Sequence, residues 1–377
     1  MTIRSWPRRT PVWFLGCLVC CGSLANSAEP GEPEGWTPEL ILRHKVVGEI
    51  AIAPGGARVA FSVSTAVMED DKSEWISQIH VADADGANGR QLTRGDKSAT
   101  SPEWSPDGTS IAFLSPRTGP KANLWRIRID GGEAEQITDE KGGILSFLWA
   151  PDGRSIAFLM PDPKTDAEER AERERRDAFV VNENHKRARL YVVSLQPGEN
   201  SVRGVRRLTA GEMHCGGQVG GRNYDWSPDS TRIVFTHQPT PLVDDWQKSD
   251  VSVVSLASGK ITALLSTDAA ESQPFFSPDG ESVAFVCSEI PPRWAFASRL
   301  KIVRADGGST TTLAESHDLK PALLGWSADG TSVLISETFG TVNRVWSIPV
   351  DGAAPVAVTS AGAMVSQPVL DSTRTRM

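Results

Sequence analysis

One phrase recurs along the chain and constrains its fold more than any other feature of the sequence. Its clear copies begin at Trp104 (WSPDGTSIAFLS), Trp149 (WAPDGRSIAFLM), Trp226, Phe276 and Trp326. A weaker copy, IAPGGARVAFSV, starts at Ile52. The aspartates of the clear copies lie at Asp107, Asp152, Asp229, Asp279 and Asp329. Most of the steps between them are 45 to 50 residues and one is 77. Such a period indicates a repeat protein.

Each copy has the chemistry of a turn between two strands. Proline presets φ, aspartate can accept a hydrogen bond from the following backbone, and glycine adopts positive φ. The strand that follows alternates, with Ile111 and Phe113 on one face. A second hairpin comes next, in which strand 123–129 leads through the turn 130–132 into strand 134–138. Every unit is therefore predicted to hold four antiparallel strands.

Four strands in about 45–50 residues is the size of a propeller blade. A blade has two apolar faces and buries them only against neighbouring blades. The sequence thus predicts an all-β fold, a β-propeller of about six four-stranded blades with an incomplete seventh. A β-sandwich of similar hairpins is the alternative, and the fixed repeat disfavours it.

The composition divides the chain into segments. We predict a signal peptide at 1–28, a linker at 29–44, the propeller at 45–370 and a C-terminal tail at 371–377, with a charged insertion at 164–189. The first part of this insertion, KTDAEERAERERR, has ten charged residues out of thirteen and no apolar stripe. It predicts a solvated helix or a disordered loop, with a gate or partner contact as the alternative.

The first residues are typical of an export signal. Three arginines precede an apolar run from Val12 to Cys21, and small residues then allow cleavage after Ala25 or Ala28. The run is short for a membrane span, so an uncleaved anchor is the alternative. The mature protein is therefore expected to be periplasmic or secreted, with no membrane span after signal removal.

Charge and cysteine content exclude several classes of function. The formal net charge is -8, so the chain lacks the basic excess that nucleic-acid binding requires. After signal removal only Cys215 and Cys287 remain, which form no disulfide framework and are each expected to be small buried hydrophobes. After signal removal the sequence has no Cys-x-x-Cys and no His pair at ligand spacing, and phosphate-loop and dinucleotide-binding patterns are absent, so no metal or cofactor is expected.

The repeat resembles that of TolB-type and prolyl oligopeptidase-type propellers, and two longer stretches narrow the resemblance. ERERRDAFVVNENHKRARLYVVSL, at 172–195, is similar to the charged insertion and return strand of dipeptidyl-peptidase-like and acylaminoacyl-peptidase-like enzymes. DDWQKSDVSVVSLASGK, at 244–260, is similar to their acidic-Trp loop and Asp-led strand. The resemblance covers roughly Trp36 to Leu370 and implies the N-terminal propeller of prolyl oligopeptidase family serine peptidases.

In that family an α/β-hydrolase domain follows the propeller and carries the catalytic Ser, Asp and His. The resemblance implies that the propeller shields the active site and admits short peptides. This chain has no Gly-x-Ser-x-Gly nucleophile elbow, and Ser309 lies in a predicted hairpin turn. We therefore predict a non-catalytic, substrate-gating portion of an exported peptidase, inactive alone, whose hydrolase domain is supplied elsewhere. The alternative is a free-standing TolB-like module that binds proteins or peptides in the cell envelope.

The last residues repeat the start of a blade. The segment 366–370, SQPVL, matches 272–276, SQPFF, but DSTRTRM follows where Ser-Pro-Asp-Gly is expected. A seventh blade thus begins and breaks off, which predicts a truncated product. A short protein whose last strand closes a six-bladed ring is the alternative.

Three sets of residues are candidate sites. His214 and Cys215 are adjacent, but neighbours on a strand point to opposite faces and no orienting acid is evident, so a catalytic pair is not predicted. The repeated aspartates are expected to form turns, and the repeated tryptophans to pack between blades rather than bind carbohydrate. The sequence therefore assigns no catalytic, cofactor-binding or metal-ligating residue and leaves the substrate-binding residues open.

Overall fold

Six antiparallel β-sheets follow one another in the computed structural model. It describes residues 37–377 apart from 70, 177, 179, 181, 197–202, 217–221, 295, 296, 361, 363 and 372–376. The predicted signal peptide and residues 29–36, half of the predicted linker, lie outside the described residues. The chain divides into two compact units, Met1–Leu42 and Arg43–Met377. Helix α1 is Pro38–Arg43, and all six sheets belong to the second unit.

Each of the first three sheets contains four strands that pair in chain order. The strands of blades one to three are β1 (Val46–Ile52), β2 (Arg58–Glu69), β3 (Lys72–Asp83) and β4 (Arg90–Gln91); β5 (Thr100–Trp104), β6 (Ser110–Ser115), β7 (Asn123–Arg128) and β8 (Glu135–Gln136); and β9 (Ser146–Trp149), β10 (Ser155–Pro161), β11 (Ala188–Ser194) and β12 (Val205–Arg207). Helix α2, Asp166–Arg173, lies between β10 and β11.

Blades four to six repeat this arrangement, except that the first strand of blade four is in two pieces, β13 and β14, which pair with the same strand. Their strands are β13 (His214–Cys215), β14 (Tyr224–Trp226), β15 (Arg232–Gln238), β16 (Asp250–Ser255) and β17 (Ile261–Leu265); β18 (Glu271–Phe276), β19 (Ser282–Ser288), β20 (Ser298–Arg304) and β21 (Thr311–Thr312); and β22 (Ala322–Trp326), β23 (Ser332–Phe339), β24 (Val342–Pro349) and β25 (Val356–Ala357). The predicted all-β propeller of about six four-stranded blades is confirmed.

Five apolar clusters fill the spaces between consecutive blades. In the first, Ala60 and Ile79 of blade one meet Ile111 and Phe113 of blade two. The second strand thus turns its Ile-x-Phe positions toward the preceding blade. The residues at the Phe position of blades two to six are all buried, namely Phe113, Phe158, Phe235, Phe285 and Ile335. Burial of side chains of this size is worth about 1.5–3 kcal/mol each, so the blade interfaces supply much of the stability.

The repeated turn forms as its residue types predict. Asp107 accepts hydrogen bonds from the Ser105 hydroxyl at 2.6 Å and the Thr109 amide at 3.0 Å, while Gly108 has a φ of 67°. These bonds hold the pKa of Asp107 below its usual range, despite partial burial of the carboxyl. The turns also stack from blade to blade, because Gly108 lies against Pro54 of the preceding turn. The same Gly-on-Pro contact recurs at Gly153, Gly280 and Gly330.

The repeated tryptophans tie neighbouring blades together. The indole N–H of Trp226 donates to the Leu148 carbonyl at 3.2 Å, and Trp104 and Trp326 make the equivalent bond to the preceding blade. Trp149 is equally buried, but its indole nitrogen has no partner among the described residues. Three of these four tryptophans therefore combine packing with a hydrogen bond, whereas Trp149 contributes packing alone.

This difference predicts unequal effects of one substitution. Trp226→Phe should lower the free energy of unfolding by about 1–2 kcal/mol more than Trp149→Phe, because it also leaves the Leu148 carbonyl unpaired. Both variants lose the same ring volume, so each serves as the control for the other. Urea denaturation of the pair measures the difference, and equal losses would show that the indole hydrogen bond contributes nothing.

Among the described residues, nothing covers the Ile-x-Phe face of blade one as a neighbouring blade covers that face in the others. Val59 and Phe61 occupy the positions of Ile111 and Phe113 but are only half-buried. Ile50, paired with Phe61 on the adjacent strand, is 48% exposed. We call the face formed by these three residues of blade one the open flank. An apolar face of this kind is characteristic of interaction surfaces.

The end of the chain lies against blade six. Gln367 has a φ of 50°, and Gln273, at the matching position of the SQP sequence in blade five, has a φ of 53°. Leu370 approaches Gly325 on the first strand of blade six, and Asp371 is buried. Gln367 therefore shares the positive φ of Gln273, although residues 366–370 form no strand.

Candidate functional site

The propeller has two different faces. In every blade the first and second strands are joined by the short repeated turn, and these turns contact one another from blade to blade. Between blades three and four the link is a hydrogen bond from the Asp152 amide to the Ser230 hydroxyl at 3.1 Å. The turns thus share one face, the turn face. The connections between second and third strands lie at the opposite end of each antiparallel sheet and form the loop face.

The longest connection on the loop face is the charged insertion of blade three. Thr165 caps helix α2, and Glu168 completes the capping box. Glu168 also pairs with Lys186 at 2.6 Å, which ties the helix to the chain returning toward β11. The ammonium group of Lys186, with further hydrogen bonds from Thr165 and Asn184, lowers the pKa of Glu168 to about 2. The solvated helix of the prediction is present, and none of its residues is buried.

A buried ion pair anchors this insertion. Arg189 on β11 is only 6% exposed and contacts Asp162 at 2.8 Å. Its guanidinium also donates to the carbonyls of Gly211 and Met213, each at 2.7 Å. Arg189 therefore joins the base of the insertion to the chain that enters blade four.

Blades four and five place two tryptophans together on the loop face. The acidic-Trp loop forms a 3-10 helix, Val243–Lys248, in which Trp246 is buried. Trp294, from the second-to-third connection of blade five, meets it edge-on with 6.2 Å between ring centroids. Trp294 is 74% exposed. We call these two residues the tryptophan pair; its outer ring, Trp294, presents an exposed aromatic surface on the loop face.

Polar groups also gather where the first strands of several blades meet. Arg222 forms an ion pair with Asp225 at 2.7 Å, and Asp225 accepts the Phe276 amide of the next blade at 3.0 Å. Tyr224 shares a hydrogen bond with Ser146 of blade three at 3.2 Å. These contacts connect the first strands of blades three, four and five through polar groups.

Glu103 of blade two belongs to the same region. Burial raises the pKa of Glu103 to about 7, against the opposing effects of the Arg222 charge and the Trp149 main-chain N–H. Sequence reasoning missed this group. The available signal was an acid directly before the repeated tryptophan, as in Glu103-Trp104 and Asp225-Trp226.

The candidate residues His214, Cys215 and Ser309 form no catalytic arrangement with the described residues around them. Cys215 is fully buried, which raises the pKa of its thiol to about 11, and its sulfur lies 3.2 Å from the Thr209 hydroxyl. The His214 Nδ1 accepts the Ala188 amide at 3.0 Å, and burial lowers the pKa of His214 to about 4. Ser309 is exposed between β20 and β21. A thiol with this pKa remains protonated at neutral pH, so it is a poor nucleophile.

Cys215 and Cys287 are both buried and free. Within the described part of the chain, no group of three or more His, Cys, Asp and Glu side chains could hold a metal ion. In the same part, no helix is long and apolar enough to cross a membrane.

A buried glutamate makes stability depend on pH. Burial, together with the charge of Asp250, raises the pKa of Glu271 to about 7, although the Thr267 hydroxyl donates to it. Its second oxygen is buried with no partner among the described residues. The unfolded chain releases this proton near pH 4.5, so stability should fall as pH rises from 4.5 to 7 and stay low above that.

Glu271→Gln removes this titration and tests its sign. Relative to the unaltered chain, the variant should gain about 2 kcal/mol between pH 5 and pH 8, since one pKa unit corresponds to about 1.4 kcal/mol. Urea denaturation at the two pH values measures the change. A stability difference between the two proteins that is the same at both values would exclude a raised pKa.

The sequence and the fold of this chain are both similar to those of known proteins. Residues 44–175 match the family model described as the TolB beta propeller domain. This first part of the propeller is therefore similar to the TolB beta propeller domain. The propeller is also similar to dipeptidyl-peptidase 5 of Porphyromonas endodontalis, at 35% identity over 79 residues, which are 21% of this chain and 11% of that protein. The uncharacterized peptidase YuxL of Bacillus subtilis is 36% identical over 73 residues, 19% of this chain and 11% of that one.

Two solved structures have a propeller fold similar to that of this chain. An acylaminoacyl peptidase from Pyrococcus horikoshii superimposes with a TM-score of 0.57 at 14% identity, covering 83% of this chain and 46% of its own. A prolyl endopeptidase gives a TM-score of 0.57 at 14% identity, covering 84% of this chain and 43% of its own. The matches to the curated peptidases span about a tenth of their length. The predicted resemblance to TolB-type and peptidase-type propellers is confirmed.

Proposed function

We propose that this chain is the non-catalytic propeller portion of an exported serine peptidase of the prolyl oligopeptidase family. It works with an α/β-hydrolase domain supplied elsewhere and controls which short peptides reach that domain. The observation that carries the proposal is the sequence similarity of the propeller to proteins named as peptidases. The relatives are far longer than the matched segments, which leaves room in them for a catalytic domain.

The geometry of the loop face supports this role. The anchored insertion of blade three and the exposed Trp294 of blade five are the kinds of groups that recognise a peptide or a neighbouring domain. The turn face consists of short turns that are occupied by their own hydrogen bonds. The loop face is therefore the side on which we place the hydrolase domain and the entering peptide.

Catalytic chemistry is not assigned to the propeller itself. Cys215 is buried with a raised pKa, Ser309 lacks a strand–turn–helix context, and the sequence contains no Gly-x-Ser-x-Gly. Export is part of the same proposal and rests on the signal-like residues 1–28 of the sequence.

The direct experiment assays the purified chain on dipeptidyl and acylaminoacyl chromogenic substrates. We expect no turnover above a sample of the denatured protein. Turnover that survives further purification and is blocked by serine-directed inhibitors would refute the assignment as non-catalytic.

A free-standing TolB-like envelope module is the second candidate, and the family match over residues 44–175 favours it. The DNA downstream of the coding sequence separates the two proposals. A reading frame there, in phase or shifted, that encodes Gly-x-Ser-x-Gly with a later Asp and His supports the peptidase. Unrelated coding sequence in its place would support the module.

A further inference from the structure

The hairpin of blade one extends beyond the sheet to which it belongs. Strand β1 pairs with β2 only as far as Ser64, but β2 and β3 continue to pair as far as Glu69 and Lys72. These five additional residue pairs, at about 3.4 Å per residue, extend roughly 17 Å from the sheet on the loop face. We call the paired residues 65–69 and 72–76 the arm.

One side of the arm is apolar and exposed. Trp75 lies opposite Ala66, and Met68 follows on the same side two residues farther out. Trp75 is 47% exposed and Met68 is 58% exposed. Because side chains alternate along a strand, this side continues the face on which Ala60 and Ile79 meet blade two. The arm therefore turns its apolar side toward the loops of blade two.

Two loops of blade two meet the base of the arm. The amide of Ser77, two residues before which Trp75 stands on the same strand, donates to the Ser98 hydroxyl at 3.1 Å. The Ser98 carbonyl in turn accepts the Ser115 hydroxyl at 2.7 Å. Ser115 ends β6 and leads into the second-to-third connection of blade two, which contains Arg117. The arm and this connection therefore border the same corner of the loop face.

Arg117 is held in place without an anionic partner. Its guanidinium lies over the rings of Phe113 and Trp125, at 5.2 and 5.7 Å from their centroids, and donates to the Arg94 carbonyl at 3.3 Å. Among the described residues, no carboxylate forms an ion pair with Arg117, although a guanidinium has five N–H groups to donate. Partial burial lowers the pKa of Arg117, as expected for a cation that has lost water without gaining an anion.

The charges around this corner favour an anion. Arg94 and Lys97 are exposed in the connection that leads into blade two, where Asp96 is the acid among residues 94–98. Glu69 and Glu74 of the arm lie on the side opposite its apolar residues. The corner is therefore locally basic, whereas the whole chain has a formal net charge of -8.

We propose that the corner between the arm and Arg117 binds a peptide that carries a carboxylate next to an apolar side chain. The carboxylate pairs with the guanidinium of Arg117, whose planar fork suits two parallel hydrogen bonds. The apolar side chain packs on Trp75 and Met68. The site lies on the loop face and rests on the proposed function for the source of the peptide. Its test measures binding to this chain alone, so its failure is distinguishable from failure of the peptidase assignment, which turnover and downstream coding sequence decide.

The test measures the binding of three peptides to the full chain by isothermal titration calorimetry. Acetyl-Ala-Phe-Asp-Ala-amide carries its carboxylate on a side chain, acetyl-Ala-Phe-Ala carries it at the C-terminus, and acetyl-Ala-Phe-Asn-Ala-amide has none. At least one carboxylate peptide should bind about tenfold more tightly than the asparagine peptide, and the tighter of the two identifies the source of the carboxylate. Equal binding of all three peptides, or binding of none, overturns the proposal.

Two variants and a matched control test the location. Arg117→Gln removes the charge and should weaken binding of the carboxylate peptide about tenfold. Arg293→Gln makes the same change at an exposed arginine in the corresponding connection of blade five and should leave binding unaltered. Equal weakening in these two variants overturns the proposal.

Trp75→Ala removes the aromatic surface of the arm and should weaken binding about threefold. Because Trp75 is exposed and lies outside the apolar clusters between blades, this variant is expected to fold. Unchanged affinity in Trp75→Ala overturns the proposal even where Arg117→Gln does not fold.

Discussion

Replacing Phe285 with alanine is expected to lower the free energy of unfolding by about 4 kcal/mol. Phe285 is 1% exposed and lies in the apolar cluster between blades four and five, so its removal leaves a cavity that a sheet cannot close. Phe61→Ala is the matched control, because Phe61 holds the same position on the open flank of blade one. It is only half-buried and should lose about 1–2 kcal/mol.

Urea denaturation of the two variants measures this contrast. The expected difference between the two variants depends on the open flank, because Phe61 would be as buried as Phe285 in a closed ring. Equal losses from the two substitutions would show that blade one is covered in solution.

Replacing Arg189 with methionine should lower the free energy of unfolding by about 3–5 kcal/mol, because one partner of a buried ion pair is removed. Asp162 loses its cation, and the carbonyls of Gly211 and Met213 lose their donors. Arg299→Met is the control. Arg299 pairs with Glu315 at the surface, and such a pair contributes about 0–1 kcal/mol.

Thermal and urea denaturation of both variants test this prediction. The Arg189 variant should also release the base of the insertion, so residues 162–187 should become more accessible to proteases. If both variants lose less than 1 kcal/mol, the network around Arg189 is not a structural anchor.

The sequence predicted the parts of the fold that depend on local chemistry. The Ser-Pro-Asp-Gly turns required only residues that are neighbours in the chain, and the Ile-x-Phe alternation marked the buried face of each second strand. The structure of the insertion was harder to predict, because a charged run without an apolar stripe is compatible with both a helix and a loop. Its helix is fixed by Lys186, which lies 18 residues beyond Glu168.

The candidate sites depend on contacts that local patterns do not contain. Burial within the assembled blades raises the pKa of Glu103, and the opposing effects come from Arg222 and Trp149, which are distant from it in the chain. The tryptophan pair likewise joins loops of two blades, nearly 50 residues apart. These residues come together only because of the order in which the blades pack. The repeat pattern predicts this order, but it does not predict which side chains then come into contact.

The blades of the propeller cover one another in chain order and leave the apolar open flank of blade one partly exposed. Sedimentation velocity at several protein concentrations tests this most directly. We predict self-association that increases with concentration and is reduced when Val59 and Phe61 are both replaced by serine. A concentration-independent monomer with a sharp two-state thermal transition would contradict the open flank and support a closed six-bladed ring.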